Sequence, residues 1–94
     1  MIVLQIEHKV SNYDEWKKAF ESDPINRKKL GVCRYTISQP VDDLNYIIIE
    51  LEFKEQKNAE DALIALRTLW GNVEGKLMFN PKTRITNIIE TIEV

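Results

Sequence analysis

The segment Tyr46-Ile-Ile-Ile-Glu-Leu-Glu-Phe53 sets the tightest limit on what this chain can fold into. Its alternation puts Ile47, Ile49, Leu51 and Phe53 on one side, as in a strand with a buried face, but Tyr46 and Ile48 are apolar on the other. A strand apolar on both sides needs cover on both, so its sheet carries a core on one face and meets a partner on the other. The same period runs from Ile2 to Val10, with Ile2, Leu4, Ile6, His8 and Val10 on one side and Val3, Gln5, Glu7 and Lys9 on the other. Val32 to Gln39 is expected to pair with Asn45 to Phe53 as a hairpin, because Pro40-Val-Asp-Asp-Leu-Asn45 between them is rich in turn formers. Thr83 to Val94, β-branched and isoleucine-rich, reads as a last strand.

Two helices fall between these strands. Asn12 is placed as an N-cap with Glu15 three residues on, and Tyr13, Trp16, Ala19 and Phe20 share a helical face. Asp23-Pro24 should kink or restart that helix, which then ends at Leu30-Gly31. Asn58 is expected to cap the second helix, whose stripe of Ala59, Ala62, Leu63, Leu66, Leu69 and Trp70 stops before Gly71. The long connection from Asn72 to Lys82 leaves room for a short helix around Val73 to Phe79. The order β, α, β, β, α, β predicts one α+β domain over residues 1–94, with the ferredoxin-like arrangement of a four-stranded antiparallel sheet and both helices on one face. Val3, Tyr46, Ile48 and one of Ile88 or Ile89 on the other face suggest a homodimer that closes an α+β barrel.

Composition removes several classes. With 44% hydrophobic and 30% charged residues the chain should fold throughout. Met1-Ile-Val-Leu4 is broken at once by Gln5 and Glu7, so neither a signal core nor a membrane span is expected, and a cytoplasmic address follows. One cysteine, Cys33, and one histidine, His8, give no internal disulfide and no structural zinc site. The net charge of −2 brings no general attraction to phosphate, and Arg27, Lys28, Lys29 and Arg34 read as solvated surface. An RNA-binding sheet would show aromatics on its central strands; here Glu50 and Glu52 stand on the open face and repel phosphate.

The runs H-K-V-x-N-Y-D-x-W-K-x-x-F, S-D-P-x-x-R, G-V-x-R-Y, P-V-D-D-x-N-Y, E-L-E-F and A-L-R-x-L-W resemble the small proteins of the dimeric α+β barrel superfamily, near its antibiotic-biosynthesis-monooxygenase-like group. The resemblance spans nearly the whole chain. It implies a substrate cleft between the sheet and the two helices, faced by a polar residue late in the first strand, the place held here by His8. The superfamily includes cofactor-independent oxygenases, haem degraders, isomerases and cyclases, so the fold does not select an activity. Two departures matter. The better-studied enzymes carry a tryptophan in the first half of helix 2, where this chain has Ala62-Leu63. Haem degraders place an axial histidine near that helix's end, where this chain has Leu69-Trp70-Gly71-Asn72. Haem degradation is therefore not expected, and neither a cofactor nor a metal is implied.

His8 is the candidate catalytic group, a base or a hydrogen-bond partner for a bound ring, with a satisfied buried histidine as the alternative. Tyr13, Trp16, Tyr35 and Trp70 are candidate ligand-binding residues; the tryptophans serve equally as core, and the tyrosines as edge residues with their hydroxyls in water. Arg34 either grips a ligand carboxylate or pairs with a glutamate across the hairpin or across the dimer. Asp23 and Arg27 are read as a local ion pair, Asp42 and Asp43 as turn residues, and Cys33 as a small buried residue. Two function classes follow: a cofactor-independent oxygenase or isomerase acting on a cyclic, enolisable or phenolic compound, or a non-catalytic ligand-binding or regulatory dimer using the same cleft.

Overall fold

The computed structural model describes every residue from Met1 to Val94. Its elements are β1 (Ile2–Val10), α1 (Tyr13–Glu21), β2 (Arg34–Ser38), β3 (Tyr46–Phe53), α2 (Gln56–Val73) and β4 (Met78–Asn87). The strands form one antiparallel sheet in the order β2-β3-β1-β4. This is the ferredoxin-like βαββαβ arrangement, and the two strands with the clearest alternation, β1 and β3, lie at its centre.

Register explains the core. Leu4 stands opposite Leu51, Ile6 opposite Ile49 and His8 opposite Ile47, so one sheet face presents to the helices an apolar row interrupted by His8. Trp16 from α1 and Ala59, Ala62 and Trp70 from α2 close over that row, and Leu4, Ile47, Phe53, Ala59 and Ala62 have no exposed surface. Asn12 caps α1 as expected, its Oδ1 accepting the Glu15 N–H at 3.0 Å.

Four boundaries differ from the sequence reading. Helix α1 neither kinks nor restarts at Pro24. Asp23 and Asn26 take positive φ of 52° and 56°, which asparagine and aspartate tolerate and a helix does not, so residues 24–31 form consecutive turns. Helix α2 begins at Gln56 and runs through Gly71 to Val73; Glu55 holds the cap position without a side-chain bond, and Asn58 lies inside the helix. No helix forms over 73–79. The chain turns at Gly75, φ 87°, and enters β4 at Met78, well before Thr83. That strand ends at Asn87, leaving residues 88–94 outside the sheet with Ile89, Ile92 and Val94 exposed.

The helix-free face also differs in part. Val3 is buried within its own chain rather than exposed, while Tyr46 and Ile48 remain half-covered. Arg34 grips the buried Glu52 with two bonds of 2.7 and 3.1 Å, directly across the β2–β3 register, and the Tyr46 hydroxyl donates to Glu7 at 2.8 Å. The glutamate-pairing role of Arg34 is the one the structure adopts. Cys33, expected to be buried, is exposed.

Candidate functional site

An apolar cavity of about 230 Å³ lies between the sheet and both helices. Ile6, His8, Ile49 and Leu51 form its floor, Trp16, Ala19 and Phe20 one wall, and Leu66, Leu69, Trp70 and Val73 the other. Each wall follows from local pattern. Alternation along β1 sends His8 up with Ile6, and helical spacing sends Trp16 and Phe20 down over it.

His8 is 2% exposed, an unusual burial for an ionisable ring among apolar side chains. Its Nδ1 lies 2.9 Å from the carbonyl of Lys9. A carbonyl only accepts, so Nδ1 carries the hydrogen and the neutral ring keeps its lone pair on Nε2. Nε2 has no protein partner, yet no sealed side-chain nitrogen or oxygen in the chain lacks one. Nε2 is therefore not sealed, and His8 is one of the residues that line the cavity. Burial pushes the imidazole pKa below its ordinary 6.5, against a smaller upward effect of the bond to Lys9, so the ring is neutral at pH 7.

The backbone around His8 is irregular. Glu7 pairs with Lys82 and Lys9 with Phe79, so Asn80 and Pro81 together stand opposite the single residue His8. This bulge uses a positive φ of 52° at Asn80 and a proline that has no N–H to lose. The Asn80-Pro81 pair read from sequence as a loop signal is thus the strand's accommodation beside the candidate base.

Of the five residues singled out from sequence, the structure brings three to the cavity: His8, Trp16 and Trp70. The His8 and Trp16 rings meet edge-on with centroids 6.1 Å apart. Tyr13 stands behind Trp16 at 6.0 Å, and Tyr35 behind Phe20 at 5.1 Å; neither lines the cavity. Among the lining residues with aromatic or charged side chains, two were missed. Phe20 stacks on Trp16 at 5.2 Å and was legible from its helical spacing. Arg27, read as half of a surface ion pair, instead lies over the Phe20 ring at 4.0 Å with its side chain 14% exposed, and it reaches the cavity. The pair with Asp23 exists at 3.6 Å, but the closer partner is the Phe20 carbonyl at 2.7 Å. Trp70, near the end of α2, supplies the aromatic ring of the cavity wall that this helix forms.

Comparison with known proteins places the fold. No protein-family model matches the chain, and no curated protein matches it by sequence. Among solved structures, an antibiotic biosynthesis monooxygenase-like protein from Nitrosomonas europaea is 20% identical, with 96% of this chain and 100% of that one covered and a TM-score of 0.72. SnoaB, a cofactor-independent oxygenase from Streptomyces nogalater, is 12% identical over 97% of this chain and 95% of its own, with a TM-score of 0.74. The haem degrader MhuD from Mycobacterium tuberculosis, solved with two haems in its active site, is 10% identical over 99% of this chain and 100% of its own, with a TM-score of 0.72. Further matches are dimeric ferredoxin-like proteins. At these identities the likeness is one of architecture, and along its whole length this chain has the fold shared by the antibiotic-biosynthesis-monooxygenase-like ferredoxin-fold proteins.

Proposed function

We propose that this protein binds a small cyclic compound bearing a phenolic or enolisable proton, in the cavity beside His8, and acts on it as a cofactor-independent oxygenase or isomerase. One observation carries the reading. A neutral histidine buried in an apolar layer spends Nδ1 on a backbone carbonyl, while its basic Nε2 has no protein partner and is not sealed, on a residue that lines the apolar cavity. Nε2 accepts the substrate's proton, forming imidazolium and a delocalised anion. In isomerisation the same ring returns the proton to a different carbon; in oxygenation the ring carbon of the anion forms a C–O bond to dioxygen, the peroxide takes the proton back from the imidazolium, and loss of water leaves a quinone. Trp16, Phe20 and Trp70 keep the anion flat and dry. A volume of about 230 Å³ lies below the roughly 300–1,000 Å³ of drug-sized sites, which suits a small ring. The oxygenase among the structural neighbours supports the chemistry, as their dimeric members support a homodimer here. The second reading is a non-catalytic ligand-binding dimer, favoured by the replacement of a helix-2 tryptophan with Ala62-Leu63.

Screening a phenol and quinone library by tryptophan fluorescence and oxygen uptake tests both. His8→Asn and His8→Phe are expected to abolish turnover of any hit while leaving the melting temperature nearly unchanged. Binding without turnover in the wild type selects the second reading. A fall in melting temperature with no separable effect on ligand would make His8 a core residue.

A further inference from the structure

Arg27 is a largely buried cation whose hydrogen-bonding capacity is mostly unspent. Of its five N–H donors, the guanidinium gives one, from Nη1, to the Phe20 carbonyl; Asp23 lies at 3.6 Å, beyond a hydrogen bond. Asp23 Oδ1 is bonded at 2.9 Å to the Arg27 backbone N–H instead. Nε and Nη2 have no protein hydrogen-bond partner and are not sealed, and Arg27 is one of the residues that line the cavity. The group is held in place by the Phe20 ring at 4.0 Å and the Tyr35 ring at 5.1 Å, and by turns that depend on positive φ at Asp23 and Asn26. No carboxylate lines this cavity; its ionisable wall groups are His8 and Arg27 alone.

We infer that Arg27 recognises a fixed anion on the ligand, so that the compound is a hydroxylated ring acid whose carboxylate meets Arg27 while its ionisable hydroxyl meets His8. The inference rests on the reading of the cavity as a small-ring site and names its ligand class. A planar fork matches a carboxylate with two parallel bonds, and the apolar surroundings strengthen them. The same cation favours the anion formed when His8 takes the hydroxyl proton, which offsets the weakness of a neutral imidazole as a base toward a phenol.

The test compares 6-hydroxy-2-naphthoate with 2-naphthol, which share the ring and hydroxyl and differ in the carboxylate. In wild-type protein the acid should bind at least about tenfold more tightly, measured by quenching of Trp16 and Trp70 and by calorimetry. Arg27→Gln should bring the affinities for the two compounds to within about twofold of each other; Arg27→Lys should restore part of the difference through charge without the fork. Retained 2-naphthol binding also shows that the variants fold. Equal affinity for the two compounds, or a preference unchanged in Arg27→Gln, would overturn the role of Arg27 and leave the small-ring site standing. Failure of both compounds to bind wild-type protein would overturn the site and this inference with it.

Discussion

His8 ties stability to pH through its burial. Its folded pKa lies below the ordinary 6.5, so below that value the unfolded chain binds a proton that the folded chain resists. Stability is then complete above about pH 6.5 and falls as pH drops toward the folded pKa, beyond which this contribution stays constant. The wild type should lose melting temperature through this window in a step absent from His8→Asn. Thermal melts of both proteins across it check the outcome; parallel curves would mean that the ring protonates without leaving the apolar layer. The direction of His8 was legible because period-2 alternation is strict in β1, and that of Trp16 because helical spacing brings it over the same face. Arg27 was not. Its place depends on left-handed turns at Asp23 and Asn26, and a Pro24 that fits a first helical position masks those turns in the sequence. Tyr13 and Tyr35 were misplaced by one layer for a related reason: spacing assigns a face, but only packing decides which ring reaches the cavity and which stands behind it.

The connection between α1 and β2 is the element that positions Arg27, and Gly31 fixes its far end. Gly31 has φ 91°, and a Cβ there would lie 2.8 Å from the Asn58 amide nitrogen and 3.4 Å from its Cβ. This close approach sets the Asn58 side chain, inside α2, against the turn at Gly31. Gly31→Ala should cost about 1–2 kcal/mol, from the positive φ and from displacement of the Asn58 side chain. Urea unfolding measures the loss, and a background of Asn58→Ala should recover the part due to crowding. Recovery of the whole loss would show that the backbone bears no strain at Gly31. The start of the fourth strand failed to read for a different reason. A two-for-one bulge absorbs Asn80-Pro81 within a ladder, and turn-forming residues carry no mark distinguishing a bulge from a loop. The interior residues of β1 and β3 had no such competition, so their pairing followed from pattern alone.

At the scale of the molecule, the sheet divides the labour between its faces. One face floors the cavity; the other, free of helices, carries the half-covered Tyr46 and Ile48, with Ile89, Ile92 and Val94 exposed on the chain that leaves β4. Covering large apolar side chains is worth about 1.5–3 kcal/mol each, and a stable interface needs roughly 800 Å² per partner, about one-eighth of the 6497 Å² this chain exposes. We propose a second copy, placed face to face, as the cover for this face and for residues 88–94. Light scattering at micromolar concentration should give about twice the chain mass of 11.0 kDa. Ile48→Lys places a charge in the shared layer and should shift the population to monomer. Because Ile48 stands opposite Glu7 on the helix-free face, that variant leaves the cavity side of the sheet untouched, and ring binding should persist in the monomer. A wild-type mass of one chain would defeat the dimer. Loss of binding together with dimerisation would mean that the cavity is completed only between two copies, and that the two faces of the sheet are not independent.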